Sequence, residues 1–391
     1  MSVEKRIGQQ IRMVERLLAE YKQMSGIPLA RFLTGFHKRN RQMGSRDRRE
    51  ISRLVYRYFR IGHAASQSEL PMRLAIADFL CDSESVVAPL LLPSVYPVKH
   101  ATFEEKVALL EEHTPFRLAE VFPFYERLSM GIDTAAYTKS MFVQPDLFIR
   151  LYRMHAKAVV SVLASEGIEY ELLDRCTAVL PNGTALERVD GISGKYEVQD
   201  YSSQQTGAYF NAEPGESWWD ACAGAGGKSL LLLDNHPGVN LLVSDVRNSI
   251  LRNLDGRFQR AGIKTYRRKI IDLTKDTTAI LGSERFDGII LDAPCSGSGT
   301  WSRTPEMISS FDTGAIRRFA DQQKQIAENV INHLKPGKPL VYVTCSAFAA
   351  ENEQVVAYLQ QGGKLKLECA EVLHGYRRRA DTMYVARLIK M

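Results

Sequence analysis

Long apolar runs are missing from this chain. No uninterrupted stretch approaches the roughly 20 residues that a membrane-spanning helix needs, and the opening MSVEKRIGQQ has no apolar core of signal-peptide length. A cytoplasmic protein without membrane association is therefore expected. Metal-binding spacings are missing too. The six cysteines, Cys81, Cys176, Cys222, Cys295, Cys345 and Cys369, form no CxxC pair, and the histidines do not gather around them at ligand spacing. That argues against a metal site and for free thiols in a reducing compartment. Internal repeats and low-complexity tracts are also lacking, so repeat architectures are set aside. Excess charge is slight. Lys and Arg number 51 against 45 Asp and Glu, a formal net charge of +6, which permits a polyanionic partner without requiring one.

What is present suggests two or three domains in 391 residues. Residues 1–112 read as a helical domain. Ile11, Val14, Leu17, Leu18 and Tyr21 recur at helical spacing, as do Ile51, Leu54, Val55, Tyr58 and Phe59, and Glu50 sits three residues beyond a candidate cap, Asp47. Basic residues crowd this region, among them Lys38, Arg39, Arg41, Arg46, Arg48, Arg49, Arg53, Arg57 and Arg60, and Arg377, Arg378 and Arg379 repeat the theme. Such a run is either a solvated helical face or a surface for phosphates. Pro89, Pro93 and Pro97 then break the helical pattern. Residues 113–213 mix a helical stretch over 116–130, a strand over 147–152, a helix over 156–166 and a strand over 196–199, which reads as a small α+β domain. From 214 to 391 short apolar runs at 218–221, 241–244, 269–271, 288–291 and 340–343 alternate with helix-length segments. This predicts a parallel sheet with crossover helices, whose ligands bind at the carboxyl ends of the strands. Asp220, Asp245, Asp272, Asp292 and the pair Thr344-Cys345 end these runs and are expected to line one crevice.

DACAGAGGKSL, residues 220–230, is a strand followed by a glycine-rich turn into a helix. Gly224, Gly226 and Gly227 allow close backbone approach to a ligand, and the new helix offers free N–H groups. A phosphate-binding loop would need glycine where Cys222 stands, and the dinucleotide fingerprint would need it at Ser229, so neither reading fits. A plain strand–helix connection explains a lone glycine turn equally well. Asp245, ending the second strand, is placed to accept from ribose hydroxyls, and Asp272, ending the third, from an adenine amino group. An N-cap is the ordinary role for each Asp taken singly. Their succession points to a nucleoside ligand without a phosphate tail, of which S-adenosylmethionine is the common case. Its contacts are expected from Cys222, through its backbone, Ala223, Gly224, Ala225, Gly226, Gly227, Lys228, Asp245, Asp272 and Asp292.

LDAPCSGSG, residues 291–299, and VYVTCSAFAAEN, residues 341–352, each place a cysteine where an apolar strand ends and a turn begins. Thiols at neighbouring strand ends can reach one substrate atom. A lone strand-end cysteine is more often packed in a core, and Cys81, Cys176 and Cys369 are assigned to packing. Together DACAGAGGK, LDAPCSGSG and VYVTCS resemble the RsmB/Nop/Sun family of RNA cytosine-5 methyltransferases. The resemblance covers nearly all of the chain from 214 onward and extends upstream through VQDYSSQ, residues 198–204. RDRREISRLVYRYFR, residues 46–60, is similar to the NusB-like domain of bacterial RsmB proteins, and the resemblance implies an RRM-like middle domain.

The family's chemistry needs two thiols. C5 of cytosine is a poor nucleophile until a thiolate adds to C6 and makes C5 enamine-like. The resemblance implies that Cys345 is this nucleophile and that Cys295 helps resolve the adduct. Asp292 is placed at the cytosine edge or beside the methionine end of the cofactor, with Lys228 balancing charge. A helix start just after Ser346, beside Cys345, is expected. Departures from the family pattern occur at Gly224-Ala225, Ile250, Ser302-Arg303 and Asp381-Thr382-Met383-Tyr384; they remove no catalytic group but bear on RNA contacts. The expected protein is a monomeric RNA methyltransferase acting on small-subunit ribosomal RNA, with transfer RNA as the nearest alternative substrate. A non-catalytic RNA-binding assembly factor and a base-amino methyltransferase are the other readings. Asp292-Ala293-Pro294-Cys295 lacks the aromatic end that the last of these uses.

Overall fold

The computed structural model describes residues 3–24, 26–82 and 84–391. They form two compact units. The first is helical and holds the chain through Glu126, together with Asp133–Gln144 and Trp301–Phe311. Its helices include Val3–Lys22, Leu29–Arg39, Ser45–Arg60, Leu70–Cys81 and Phe103–His113. The spacing seen in the sequence becomes a shared core: Val14, Leu17, Phe36, Leu54, Val55, Leu74 and Phe79 are fully buried. Two local expectations are corrected. Gly44, not Asp47, precedes the helix Ser45–Arg60, and Glu50 pairs with Arg53 rather than closing a capping box. Residues 116–130 form no α-helix, only the short 3-10 turns Leu118–Glu120 and Tyr125–Arg127, because Pro123 interrupts the run. The basic run is also partly internal. Arg57 and Arg53 both pair with the buried Asp78, and Arg60 is buried, donating to the carbonyl of Val143 at 3.2 Å and to Gln144 Oε1 at 2.6 Å.

The second unit holds two sheets. Four antiparallel strands, β1 (Leu147–Leu151), β2 (Glu171–Leu172), β3 (Thr177–Leu180) and β4 (Tyr196–Val198), lie in the order β2-β3-β1-β4. Alternation along β1 divides its side chains. Ile149 and Leu151 pack on Val159 and Leu163 of the helix Ala156–Ser165, while Arg150 points the other way and reaches Asp234 at 2.7 Å.

The larger sheet contains β5 (Ser217–Asp220), β6 (Asn240–Asp245), β7 (Arg267–Ile270), β8 (Gly288–Asp292), β9 (Pro339–Thr344), β10 (Leu365–His374) and β11 (Thr382–Lys390). The order is β10-β11-β9-β8-β5-β6-β7. Strands β5 to β9 are parallel, and the β10–β11 hairpin adds antiparallel to β9. Trp218, Trp219, Leu242, Val243, Ile289, Ile290 and Val341 are fully buried, as expected of strands covered on both faces. The order reverses at β5, with β6 and β7 on one side and β8 and β9 on the other. Such a reversal opens a crevice at the strands' carboxyl ends. Cys369, assigned to packing from sequence, is instead exposed on the edge strand β10.

Gly288 stands in register with Trp218, and a Cβ at that position would meet the indole ring at 2.3 Å. Gly288→Ala is therefore expected to lower stability by about 1–3 kcal/mol, the usual cost of overpacking a dense core. A urea midpoint equal to that of the unaltered protein would contradict this.

Candidate active site

A crevice of about 800 Å³ opens where the strand order reverses. Its walls include Cys222, Ala223, Gly224, Ala225, Gly227 and Lys228 from the glycine turn, Asp245 and Asp272 beyond β6 and β7, and Asp292, Cys295 and Cys345 beyond β8 and β9. The structure thus brings together all but one of the residues expected to contact cofactor or substrate. The exception is Gly226, which faces inward. Its φ of 84° suits glycine alone, and a Cβ there would meet the Phe258 ring at 2.8 Å. This close approach seats the start of the helix Gly227–Asn235 on the helix Asn248–Arg260. Arg257 from the latter donates to the Ala225 carbonyl at 2.9 Å and pairs with Glu197 of β4 at 2.5 Å. Gln199 contributes a longer contact, 3.4 Å, to the Gly227 carbonyl. The small sheet therefore braces the turn, a role that nothing in the local sequence announces.

The acids differ in their surroundings. Asp245 is almost fully buried; it accepts from the Gly224 N–H at 3.1 Å, from the Arg247 N–H at 2.8 Å and from the Arg247 guanidinium at 3.1 Å. Asp272 is held below the usual carboxylate range first by the Thr274 hydroxyl, at 2.6 Å, and by the Thr274 N–H. Asp292 pairs with Lys228 at 2.7 Å. Burial alone would pull the Lys228 ammonium down, but the Asp292 carboxylate and the Cys345 sulfur outweigh it and raise its pKa. Asp220 and Thr344, expected on the crevice wall, lie beneath it, only 1% and 0% exposed. Asp220 accepts from the Ser229 hydroxyl at 2.6 Å, and its other oxygen has no partner. Burial, with the nearby Asp292 charge, pushes its pKa up to about 7. The Cys222 thiol is likewise pushed well up by burial, so its sulfur is an inert part of the wall.

The two remaining thiols are neighbours. Cys295 Sγ lies 3.3 Å from Cys345 Sγ. The hydrogen bond to Cys345 and then burial push the Cys295 thiol well up, and either sulfur can be the donor in that bond. No helix starts after Ser346; the next one is Glu353–Gln361, and the positive charge beside Cys345 is that of Lys228. Sequence reading missed the groups that hold the two loops. Glu351, fully buried, accepts from the Ser296 N–H at 2.8 Å, the Ser346 hydroxyl at 2.8 Å and Gln323 Nε2 at 3.2 Å. Asn352 donates to the Ser346 carbonyl at 2.9 Å and accepts from the Thr344 hydroxyl at 2.5 Å. One signal was available. Gln323 falls in line with Ile316, Ala320, Ala327 and Val330 on the buried stripe of the helix Gly314–Ile331, where an amide needs a polar partner.

Asp220 gives the site a measurable pH signature. Its folded pKa of about 7 lies above the roughly 3.9 of an unfolded Asp, so the native state binds more protons between those values. Stability should fall as pH rises through that window and level off above it. Asp220→Asn is expected to reduce the difference in denaturant midpoint between pH 5 and pH 8. Parallel pH profiles for the two proteins would show that Asp220 does not titrate in that range.

Residues 208–388 match the family model described as 16S rRNA methyltransferase RsmB/F. Ribosomal RNA small subunit methyltransferase B of Xylella fastidiosa is 36% identical over 168 residues, covering 43% of this chain and 39% of that protein. The protein of the same name from Klebsiella pneumoniae is 34% identical over 221 residues, 55% of this chain and 50% of its own length. The chain thus spans half or less of the length of these curated relatives. Among solved structures, that of PH0851 superposes with a TM-score of 0.72 at 20% identity, covering 97% of this chain and 98% of that one. The structure of NSun6 from Pyrococcus horikoshii with SFG gives a TM-score of 0.60 at 16% identity, covering 68% and 97%. These two share the fold. The glycine turn and the facing cysteine loops fall within the matched segment, and it is residues 208–388 that belong with the RsmB/F methyltransferases.

Proposed function

We propose that this protein transfers a methyl group from S-adenosylmethionine to C5 of a cytosine in RNA, with small-subunit ribosomal RNA as the favoured substrate and the cytoplasm as the place of reaction. The observation that carries this reading is the pair of thiols 3.3 Å apart at the carboxyl ends of adjacent parallel strands, both lining the crevice. The names of the small-subunit methyltransferase relatives support the RNA class.

The residues fit the cofactor. Gly224 and Gly226 have φ of 52° and 84°, which keeps side chains out of the turn, and Asp245 presents a buried, already oriented carboxylate where ribose hydroxyls would come. Asp272 stands further along the same wall for the adenine amino group. When bound, S-adenosylmethionine supplies an electrophilic methyl group. Cys345 adds through its sulfur to C6 of the cytosine, and the electron pair of the C5–C6 bond moves to make C5 nucleophilic. Lys228 holds positive charge beside that sulfur before it attacks, and Asp292, anchored by Lys228, faces the base. After transfer the C5 proton leaves to a base, the C5–C6 double bond re-forms and the Cys345 sulfur departs. Cys295 lies 3.3 Å from that sulfur, near enough to assist departure as a proton donor. Exposed Arg41, Arg46 and Arg49 of the helical unit remain available for RNA phosphates. An assembly factor without turnover would have no use for a paired, crevice-lining dithiol.

Asp245→Ala should weaken S-adenosylmethionine binding by roughly 1–3 kcal/mol, the cost of leaving polar partners unpaired; calorimetry showing equal affinity would remove Asp245 from the ribose. The thiols separate in a second experiment. Cys345→Ala should lose both methyl transfer and covalent trapping on RNA carrying 5-fluorocytosine. Cys295→Ala should attack, transfer the methyl group and stall, leaving a protein–RNA adduct that survives denaturing electrophoresis. Adduct accumulation by the Cys345 variant and none by the Cys295 variant would reverse the two roles.

A further inference from the structure

We infer that Glu351 is a positioning residue that sets the spacing of the Cys295 and Cys345 thiols. Only the catalytic consequence of this inference rests on the function proposed above. The carboxylate touches both cysteine loops one residue beyond the sulfur: Ser296, the donor at 2.8 Å, follows Cys295, and Ser346, also at 2.8 Å, follows Cys345. Gln323 completes the clamp, donating to Glu351 at 3.2 Å and to the Pro294 carbonyl, just before Cys295, at 2.9 Å. All three partners are donors, which suits an acceptor carboxylate; burial raises its pKa and these hydrogen bonds oppose that rise. Bonds to a charged acceptor are about twice as strong as neutral ones. The Ser296 and Ser346 hydroxyls also meet at 3.1 Å. By accepting the hydrogen bond of the Ser346 hydroxyl, Glu351 leaves that oxygen's lone pairs for other donors, including the Phe348 N–H at 3.0 Å. A group placed only to stabilise the core would not need its donors on both sides of the dithiol.

Glu351→Gln keeps the size but replaces one acceptor oxygen by an NH2 donor, so one loop loses its anchor. Phenylarsine oxide reads the consequence directly. Its arsenic bonds two sulfurs at once, losing the oxygen as one water together with the two thiol protons, and holds only thiols that lie close together. The full chain should bind it through Cys295 and Cys345. Glu351→Gln should bind it at least tenfold more weakly, approaching Cys295→Ala, while its melting temperature and S-adenosylmethionine affinity stay near those of the unaltered protein. On RNA, the same variant should lower kcat with little change in KM for S-adenosylmethionine and should accumulate the covalent adduct. A folded Glu351→Gln with undiminished arsenical binding overturns the inference. Should that variant fail to fold, Ser346→Ala decides: weaker arsenical capture upholds the clamp and unchanged capture overturns it. Absence of RNA methylation by the unaltered protein would refute the proposed function and leave the arsenical result to judge Glu351.

Discussion

The parallel ladder between β8 and β9 fixes the position of everything chemical in this chain. Ile289, Ile290, Leu291 and Asp292 stand beside Leu340, Val341, Tyr342 and Val343, and the Ala293 N–H extends the pairing to the Val343 carbonyl at 2.9 Å. Both strands are buried on both faces, so a slip of one residue would turn Asp292 into the apolar interior and is strongly opposed. The thiols follow within three residues of the ladder's end. Gly299 then brings its backbone against the second loop, donating to the Cys345 carbonyl at 2.9 Å, where a Cβ would collide with the Thr382 carbonyl at 1.9 Å. Two loops that pass this closely need small residues and a polar centre between them. The serines at 296, 298 and 346, with Glu351, supply that centre.

Electrostatics at the strand ends serve the site more than the fold. Lys228 is only 7% exposed, and moving an ammonium and a carboxylate out of water costs about as much as their attraction returns. The pair with Asp292 is therefore a poor source of stability. Its value is a fixed positive charge close to the Cys345 sulfur in a site where screening is weak. Asp220 beneath the turn is the counterpart: it is too buried to hold its charge comfortably, with one oxygen unpartnered, and it lowers stability as pH rises. A fold that tolerates both has accepted local cost for the shape and potential of the crevice.

Much of the larger sheet was legible because parallel strands and their ends leave strong local marks. Apolar runs ending in Asp245, Asp292 and Thr344-Cys345 became β6, β8 and β9, and the glycine turn became the start of the helix Gly227–Asn235. What stayed hidden was non-local. Glu197 and Arg257 lie far apart in the chain and meet only through the fold; neither carries a motif. Glu351 and Asn352 lie within VYVTCSAFAAEN, residues 341–352, yet a carboxylate there looks like a surface residue until the Ser296 N–H and the Ser346 hydroxyl are seen to converge on it. Asp47 was misread as a cap because the capping pattern does not distinguish the cap position from the first turn, and Gly44 took the cap. The 116–130 stretch was misread because buried Phe116, Val121, Phe122 and Phe124 mimic helical spacing around a proline.

The helical unit shows the same limit at the scale of a domain. Its core accepts residues that a boundary at 112 would leave out: Phe116, Val121 and Phe142 pack with it. The start of the helix Leu29–Arg39 follows Pro28, which has no side-chain acceptor, and the Leu29 N–H is satisfied by Glu306 Oε1 at 3.1 Å. His63 bonds the Ile308 carbonyl at 3.0 Å in the same way. An orphaned helix N-terminus costs stability when buried without a partner. The unit is thus completed by a segment that begins at Trp301, directly after the loop carrying Cys295, and the chain returns to the sheet unit at Asp312. Cutting the chain at 112 would uncap that helix and strip part of its core.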